Sequence, residues 1–112
     1  MPTSVLRSVR AVADVTFWTG RRVVVTGGAG FLGRRVVDLL EAAGAQVVAP
    51  RSADVDLTQP GHAERMISEH RPSEVFHLAA QVGGIGYNLA QPAPLYLANL
   101  LMGTHIIEAA RL

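Results

Sequence analysis

With 112 residues, 49% of them apolar, the chain is long enough for one modest core and too apolar for wholesale disorder. A formal charge of +1 supplies no field that would draw nucleic acid or a membrane surface, and the absence of cysteine excludes a disulfide framework and a thiolate metal site. All 10 basic residues are arginine, and lysine is absent. No apolar run reaches the ~18–20 residues of a membrane span. The first dozen residues carry Arg7 and Arg10 and lack the continuous apolar stretch of a secretory signal, so a cytoplasmic location is the default expectation.

In chain order, residues 1–20 read as an N-terminal extension, with Val5, Leu6, Val9 and Val12 at weak helical spacing. Phe17 and Trp18, just before Gly20, are expected to pack against the base of a sheet. Arg22–Thr26 is the first strand, because three consecutive valines suit a strand buried on both faces of a parallel sheet. Gly27, Gly28 and Gly30 then crowd into a turn. The helix that follows, over 31–43, is expected to bury Phe31, Leu32, Val36, Val37, Leu40 and Ala43 and to end on a left-handed Gly44. Residues 45–49 form the second strand, reached by a right-handed crossover.

Asp54–Leu57 lies too close to that strand to pair with it in parallel, since such a crossover takes about a dozen residues. The spacing therefore predicts a surface loop over 51–58 with one buried anchor, Val55 or Leu57. Thr58 is expected to cap a helix over 60–71 that buries Ala63, Met66 and Ile67, with Pro60 in its first turn. Residues 74–80 make the third strand, and 81–92, with Gly83, Gly84 and Gly86, a loop. A helix over 93–111 is apolar on so much of its surface that it expects neighbours on more than one side.

The chemistry centres on the first turn. Gly28-x-Gly30-x-x-Gly33 fits a dinucleotide fingerprint, and Thr26-Gly27-x-x-Gly30-x-x-Gly33 fits a related spacing. A glycine motif carries weight only between a strand and a helix, which is where this one falls. Such a turn lets backbone approach a pyrophosphate, and the helix N-terminus offers N–H groups and a partial positive charge. Arg34 and Arg35 oppose that dipole by roughly 0.3–1 kcal/mol each, a cost an anion would offset. At the end of the second strand an acid would receive the ribose 2′-hydroxyl of NAD, and an arginine would accommodate the 2′-phosphate of NADP. Arg51 and Ser52 at that end argue for NADP(H); Asp54, a little further on, keeps NAD as the alternative. Asp56 and Leu57 are placed to flank the adenine. The four histidines show no ligand spacing, so no metal site is expected, and His77 is expected to pack rather than act as a base.

Thr26-Gly27-Gly28-Ala29-Gly30-Phe31-Leu32-Gly33, Asp56-Leu57 and His77-Leu78-Ala79-Ala80 follow one another in the order seen in extended short-chain dehydrogenases/reductases, which this chain resembles. The sequel Gln81-Val82-Gly83-Gly84-Ile85-Gly86, then Asn99 and Gly103-Thr104-His105, is similar to the GDP-L-fucose synthase family in particular. The resemblance covers about residues 17–112 and implies a partial Rossmann-type doubly wound parallel sheet, of the α/β class, with the first strand between the other two. It implies that Gly27, Gly30, Phe31, Leu32, Gly33, Leu78, Ala79 and Ala80 help to hold NADP(H), and that Val82, Gly83, Gly84 and Ile85 lie near nicotinamide and sugar. It further implies reduction and epimerisation of GDP-4-keto-6-deoxymannose, a nucleotide-sugar substrate. That family pairs a tyrosine with a lysine four residues on. Here Gln91 follows Tyr87, Leu100 follows Tyr96, and no lysine exists, so no catalytic residue is carried over. Residues 21–112 are expected to form the N-terminal half of a cofactor domain, inactive alone, with the substrate domain absent. The edge of the third strand and the apolar last helix offer an association surface, for a homo-oligomer or as a non-catalytic binding module.

Overall fold

The computed structural model describes residues 15–80 and 92–112. In chain order the elements are α1 (Val15–Trp18), β1 (Arg22–Thr26), α2 (Phe31–Ala42), β2 (Gln46–Val48), α3 (His62–His70), β3 (Glu74–His77) and α4 (Pro92–Arg111). The strands form one parallel sheet in the order β2-β1-β3. Val23 is opposed by Val47 and Glu74, and Thr26 by His77. A strand flanked by strands and covered on both faces has no solvent side, which is why the valine run shows no polar alternation. Val23, Val24 and Val25 are 1%, 0% and 0% exposed.

Alternation along β1 divides the core into two layers. Val24 faces Leu57, Ala63, Met66, Met102, Ile106 and Ala109, contributed by the loop before α3 and by α3 and α4. Val23 and Val25 face Leu40, with Val36, Val37, Phe76 and Trp18 packed around them. Helices thus lie on both faces of a sheet whose first strand is central, the doubly wound arrangement expected from the motif order. At the base, Trp18 packs on Phe76 with ring centroids 6.0 Å apart, and Phe17 meets Trp18 edge-on at 4.9 Å. The Arg21 guanidinium lies 4.1 Å above the Phe17 ring and pairs with Glu74.

Three local expectations need correction. Phe31 and Leu32 do not join the buried face of α2: they are 95% and 61% exposed. At about 100° per residue, Phe31 points away from the stripe of Gly33, Val37 and Leu40 that meets the sheet. Helix α3 begins at His62 rather than at residue 60, because Gly61, at φ +85°, lies in the left-handed region and breaks continuity with Pro60. Its N-cap is Gly61, and the Thr58 hydroxyl donates to Asp56 instead. Finally, α4 buries only one stripe, Leu95, Met102, Ile106 and Ala109, and leaves Leu97, Leu100 and Ile107 more than half exposed.

A methyl group added at Gly103, inside α4, would meet no described residue within 4 Å. Gly103→Ala is therefore expected to raise stability by about 0.5–1 kcal/mol through reduced backbone entropy of the unfolded chain. Thermal unfolding followed by circular dichroism checks this, and a lowered melting temperature would contradict it.

Candidate functional site

The turn between β1 and α2 is built from contacts that admit no side chains. Gly27 has φ +73°, and a Cβ there would sit 2.7 Å from the Ala79 backbone nitrogen. A Cβ on Gly33 would overlap the Gly27 carbonyl oxygen. Gly28 lies against Ala49 and Val37, so the end of β2 abuts the turn. The Gly30 N–H closes the turn on the Gly27 carbonyl at 3.1 Å. Gly30 then serves as the N-cap of α2 and contributes no side-chain hydrogen bond. The N–H groups of the first turn are left for an acceptor from outside the helix. Arg34 reaches back to the Ala29 carbonyl at 3.3 Å and stays over the turn.

Opposite the turn, β3 runs into Leu78, Ala79 and Ala80. The Thr26 hydroxyl accepts the backbone N–H groups of Leu78, at 3.1 Å, and Ala79, at 3.2 Å. It also lies 2.7 Å from Nδ1 of His77. Thr26 is 2% exposed, the one polar residue buried among the described residues. The structure thus brings Gly27, Gly33 and Ala79 into one junction.

Beyond β2, Arg51 is exposed, and its guanidinium makes no hydrogen bond or ion pair with another described residue. Its carbonyl accepts from Asp54 and Val55, which curls the loop; Ser52 is exposed beside it. Leu57, 6% exposed, is the buried anchor, and Val55 packs at its margin. The Asp56 carboxylate accepts the Thr58 hydroxyl at 2.6 Å and the Thr58 N–H at 3.0 Å. Those two bonds, the hydroxyl first, hold the carboxyl below the usual carboxylate range. Val82, Gly83, Gly84 and Ile85 lie outside the described residues.

Three residues that organise this region were not singled out from sequence as its supports. Thr26 ties β1 to the end of β3. His62 accepts the Asp56 N–H at Nδ1, at 3.0 Å, and His105 bonds the Leu57 carbonyl through Nδ1 at 2.7 Å. A threonine closing a buried valine run, followed at once by glycine, is the signal that would have marked the first. His62 follows Asp56 by six residues across the Gly61 turn, a spacing that is no recognised signal, and His105 lies 48 residues beyond Leu57 on α4.

A depression of about 550 Å³ lies at the opposite, amino-terminal ends of the strands, lined by Arg21, Arg22, Gln46, Arg71 and Ser73. Ligands of open parallel sheets bind outside the carboxyl ends of the strands, which is where the glycine turn sits. Among the described residues no group of three or more metal-ligating side chains comes together, and no helix is long and apolar enough to cross a membrane.

Residues 23–112 match the profile described as the NAD dependent epimerase/dehydratase family. The chain belongs to that family. Among members of the epimerase/dehydratase family, the GDP-L-fucose synthase of Azorhizobium caulinodans is 33% identical over 91 residues, covering 81% of this chain and 29% of the relative. A UDP-glucose 4-epimerase of Thermus thermophilus, in complex with NAD, superposes with a TM-score of 0.71 at 35% identity, over 80% of this chain and 33% of that one. MlghC, a GDP-mannoheptose C4 reductase from Campylobacter jejuni with NADP bound, gives a TM-score of 0.76 at 24% identity, over 82% of this chain and 29% of that one. The chain therefore has the Rossmann-type fold of its family and spans less than a third of the length of the curated relative.

Proposed function

We propose that this chain is the NADP(H)-binding portion of a nucleotide-sugar reductase/epimerase of the GDP-L-fucose synthase type. The observation that carries the reading is the glycine junction. Side chains are excluded at Gly27 and Gly33, and the first turn of α2 has no side-chain cap. Those are the conditions for backbone to approach a diphosphate and for a helix end to receive its charge. The residues present fit a dinucleotide: Phe31, Leu32 and Gly33 would meet the diphosphate with backbone N–H groups, Gly30 would leave room for it beside the closed turn, and the Leu57 backbone would lie along the adenine. Nicotinamide, when bound, supplies the hydride chemistry. This chain's own residues bind and orient.

The exposed Arg51 guanidinium, which bonds to no other described residue, favours NADP(H), since a 2′-phosphate would give it a bidentate partner. Titration with NADPH and NADH in parallel tests this. Arg51→Ala is expected to weaken NADPH about tenfold to a hundredfold, the value of a charge-assisted hydrogen bond or two, and to leave NADH unchanged. A wild-type preference for NADH would remove the NADP assignment. The 35% identity to an epimerase in complex with NAD is what favours that second reading.

The resemblance to GDP-L-fucose synthases brings with it epimerisation and reduction of a GDP-4-keto-6-deoxy sugar. With no lysine to pair with a tyrosine, the 112-residue chain alone is inactive in this reading. NADPH consumption by the purified chain in the presence of that substrate would overturn the inactivity.

A further inference from the structure

His77 meets Thr26 at the place where β3 runs into the glycine turn, and the direction of their bond follows from proton counting. The Thr26 hydroxyl already accepts two backbone N–H groups, from Leu78 and Ala79. A hydroxyl has one proton to donate and two lone pairs. It therefore donates to Nδ1 of His77, 2.7 Å away, so His77 is neutral, with its own proton on Nε2. Leu78 has a second acceptor in the Thr26 carbonyl at 3.1 Å. Ala79 has no second acceptor among the described residues, and Ala79 is the residue whose backbone nitrogen packs on Gly27.

We propose that His77 is a positioning residue for the glycine turn: as a neutral acceptor it orients the Thr26 hydroxyl, which holds the Ala79 backbone against Gly27, and its protonation loosens that junction and weakens dinucleotide binding. The proposal rests on the dinucleotide-binding reading of the turn. An imidazolium presents an N–H at Nδ1 to an oxygen whose lone pairs are taken, and the hydroxyl proton loses its acceptor. The Leu78 N–H can fall back on the Thr26 carbonyl, but the hydroxyl must turn to find a new acceptor for its proton, and among the described residues the Ala79 N–H has no substitute for it.

Val75 and Ala79 pack into the layer formed with α3 and α4, and alternation along β3 puts His77 on that same face. The titratable and charged groups on the elements packed over that face are His62, Glu64, Arg65, Glu69 and His70 on α3, and Tyr96, His105, Glu108 and Arg111 on α4; the loop before α3 adds Arg51, Asp54 and Asp56. Among the described residues none of them bonds to His77. Burial alone holds the imidazole below the usual histidine value. A histidine lowered in the fold stabilises it fully above the unfolded-state value of about 6.5. That contribution falls as pH drops from there through the folded-state value.

The test is NADP⁺ affinity measured by calorimetry from about pH 8 to about pH 5.5, on the 112-residue wild type and on His77→Asn. Asparagine offers an acceptor where Nδ1 stood and does not titrate. At neutral pH the variant is expected to bind within about threefold of wild type. On acidification wild type is expected to lose about tenfold more affinity than the variant, the scale of one hydrogen bond broken with its partner left unpaired. Parallel pH profiles would overturn the proposal. Heteronuclear NMR provides a second measurement without ligand. It should find Nδ1 of His77 unprotonated at neutral pH and Ala79 amide exchange accelerating as His77 titrates. A proton on Nδ1, or Ala79 exchange indifferent to that titration, would also overturn it. If no dinucleotide binds at any pH, the reading of the turn fails, and the NMR arm still decides the role of His77.

Discussion

Gly33→Val is expected to lower the stability of the chain by about 3 kcal/mol, the upper part of the range for overpacking, and to abolish dinucleotide binding. Two effects compete at this position. Inside a helix, replacing glycine normally gains roughly 0.5–1 kcal/mol of backbone entropy for alanine, as expected at Gly103. At Gly33 the new Cβ would overlap the carbonyl oxygen of Gly27 and come within 2.9 Å of the Gly28 Cα. Neither is the flexible end of a side chain, so no rotamer change relieves the overlap. Helix α2 must move off the turn, and the valine branch adds to the displacement. At about 4–8 °C per kcal/mol for a domain of this size, the melting temperature falls by about 15 °C. Opposite signs for substitutions at Gly33 and Gly103, in the same calorimetric series, separate close approach from helix propensity. Equal behaviour of the two would remove the steric account of the turn.

Thr26→Val is expected to cost about 3 kcal/mol, while Thr26→Ser stays within about 1 kcal/mol of wild type. Valine has nearly the same shape, so the packing of β1 is kept and the loss is polar. The Ala79 N–H and Nδ1 of His77 both lose their partner beside the buried Thr26 side chain. Leu78 keeps the Thr26 carbonyl. Urea denaturation measures the difference, and an unchanged slope places it in the folded state. A valine variant as stable as the serine variant would mean that water reaches the junction.

Much of this fold was legible because its signals are local. Unbroken valines marked β1 as a strand without a solvent face, and the glycines that follow marked a turn without room for side chains. The loop over 51–58 was legible by elimination, since a strand there would need a crossover the chain has no length to make. Local pattern failed where a side chain had a better use than the usual one. Thr58 has the composition of a helix cap, but its hydroxyl serves Asp56, and Gly61 supplies the left-handed step before α3. Phe31 and Leu32 are apolar, but they sit on the far side of α2 from the stripe that meets the sheet. The supports of the candidate site were the least legible. Thr26 and His77 are 51 residues apart, and His105 and Leu57 are 48 apart, so only the tertiary fold brings them together.

That separation also governs how the chain is made. Strand β1 finds its partner Val75 opposite Val24, and about 50 residues of synthesis, some 3–10 s at cellular rates, intervene between them. Through that interval a run of three adjacent valines has at most one edge covered, by β2. Because every pairing in this sheet is parallel and distant, none is secured by a hairpin, and folding is slow for so short a chain. The feature that makes β1 a sound centre for the finished sheet thus makes it the segment most exposed to self-association while the sheet is incomplete.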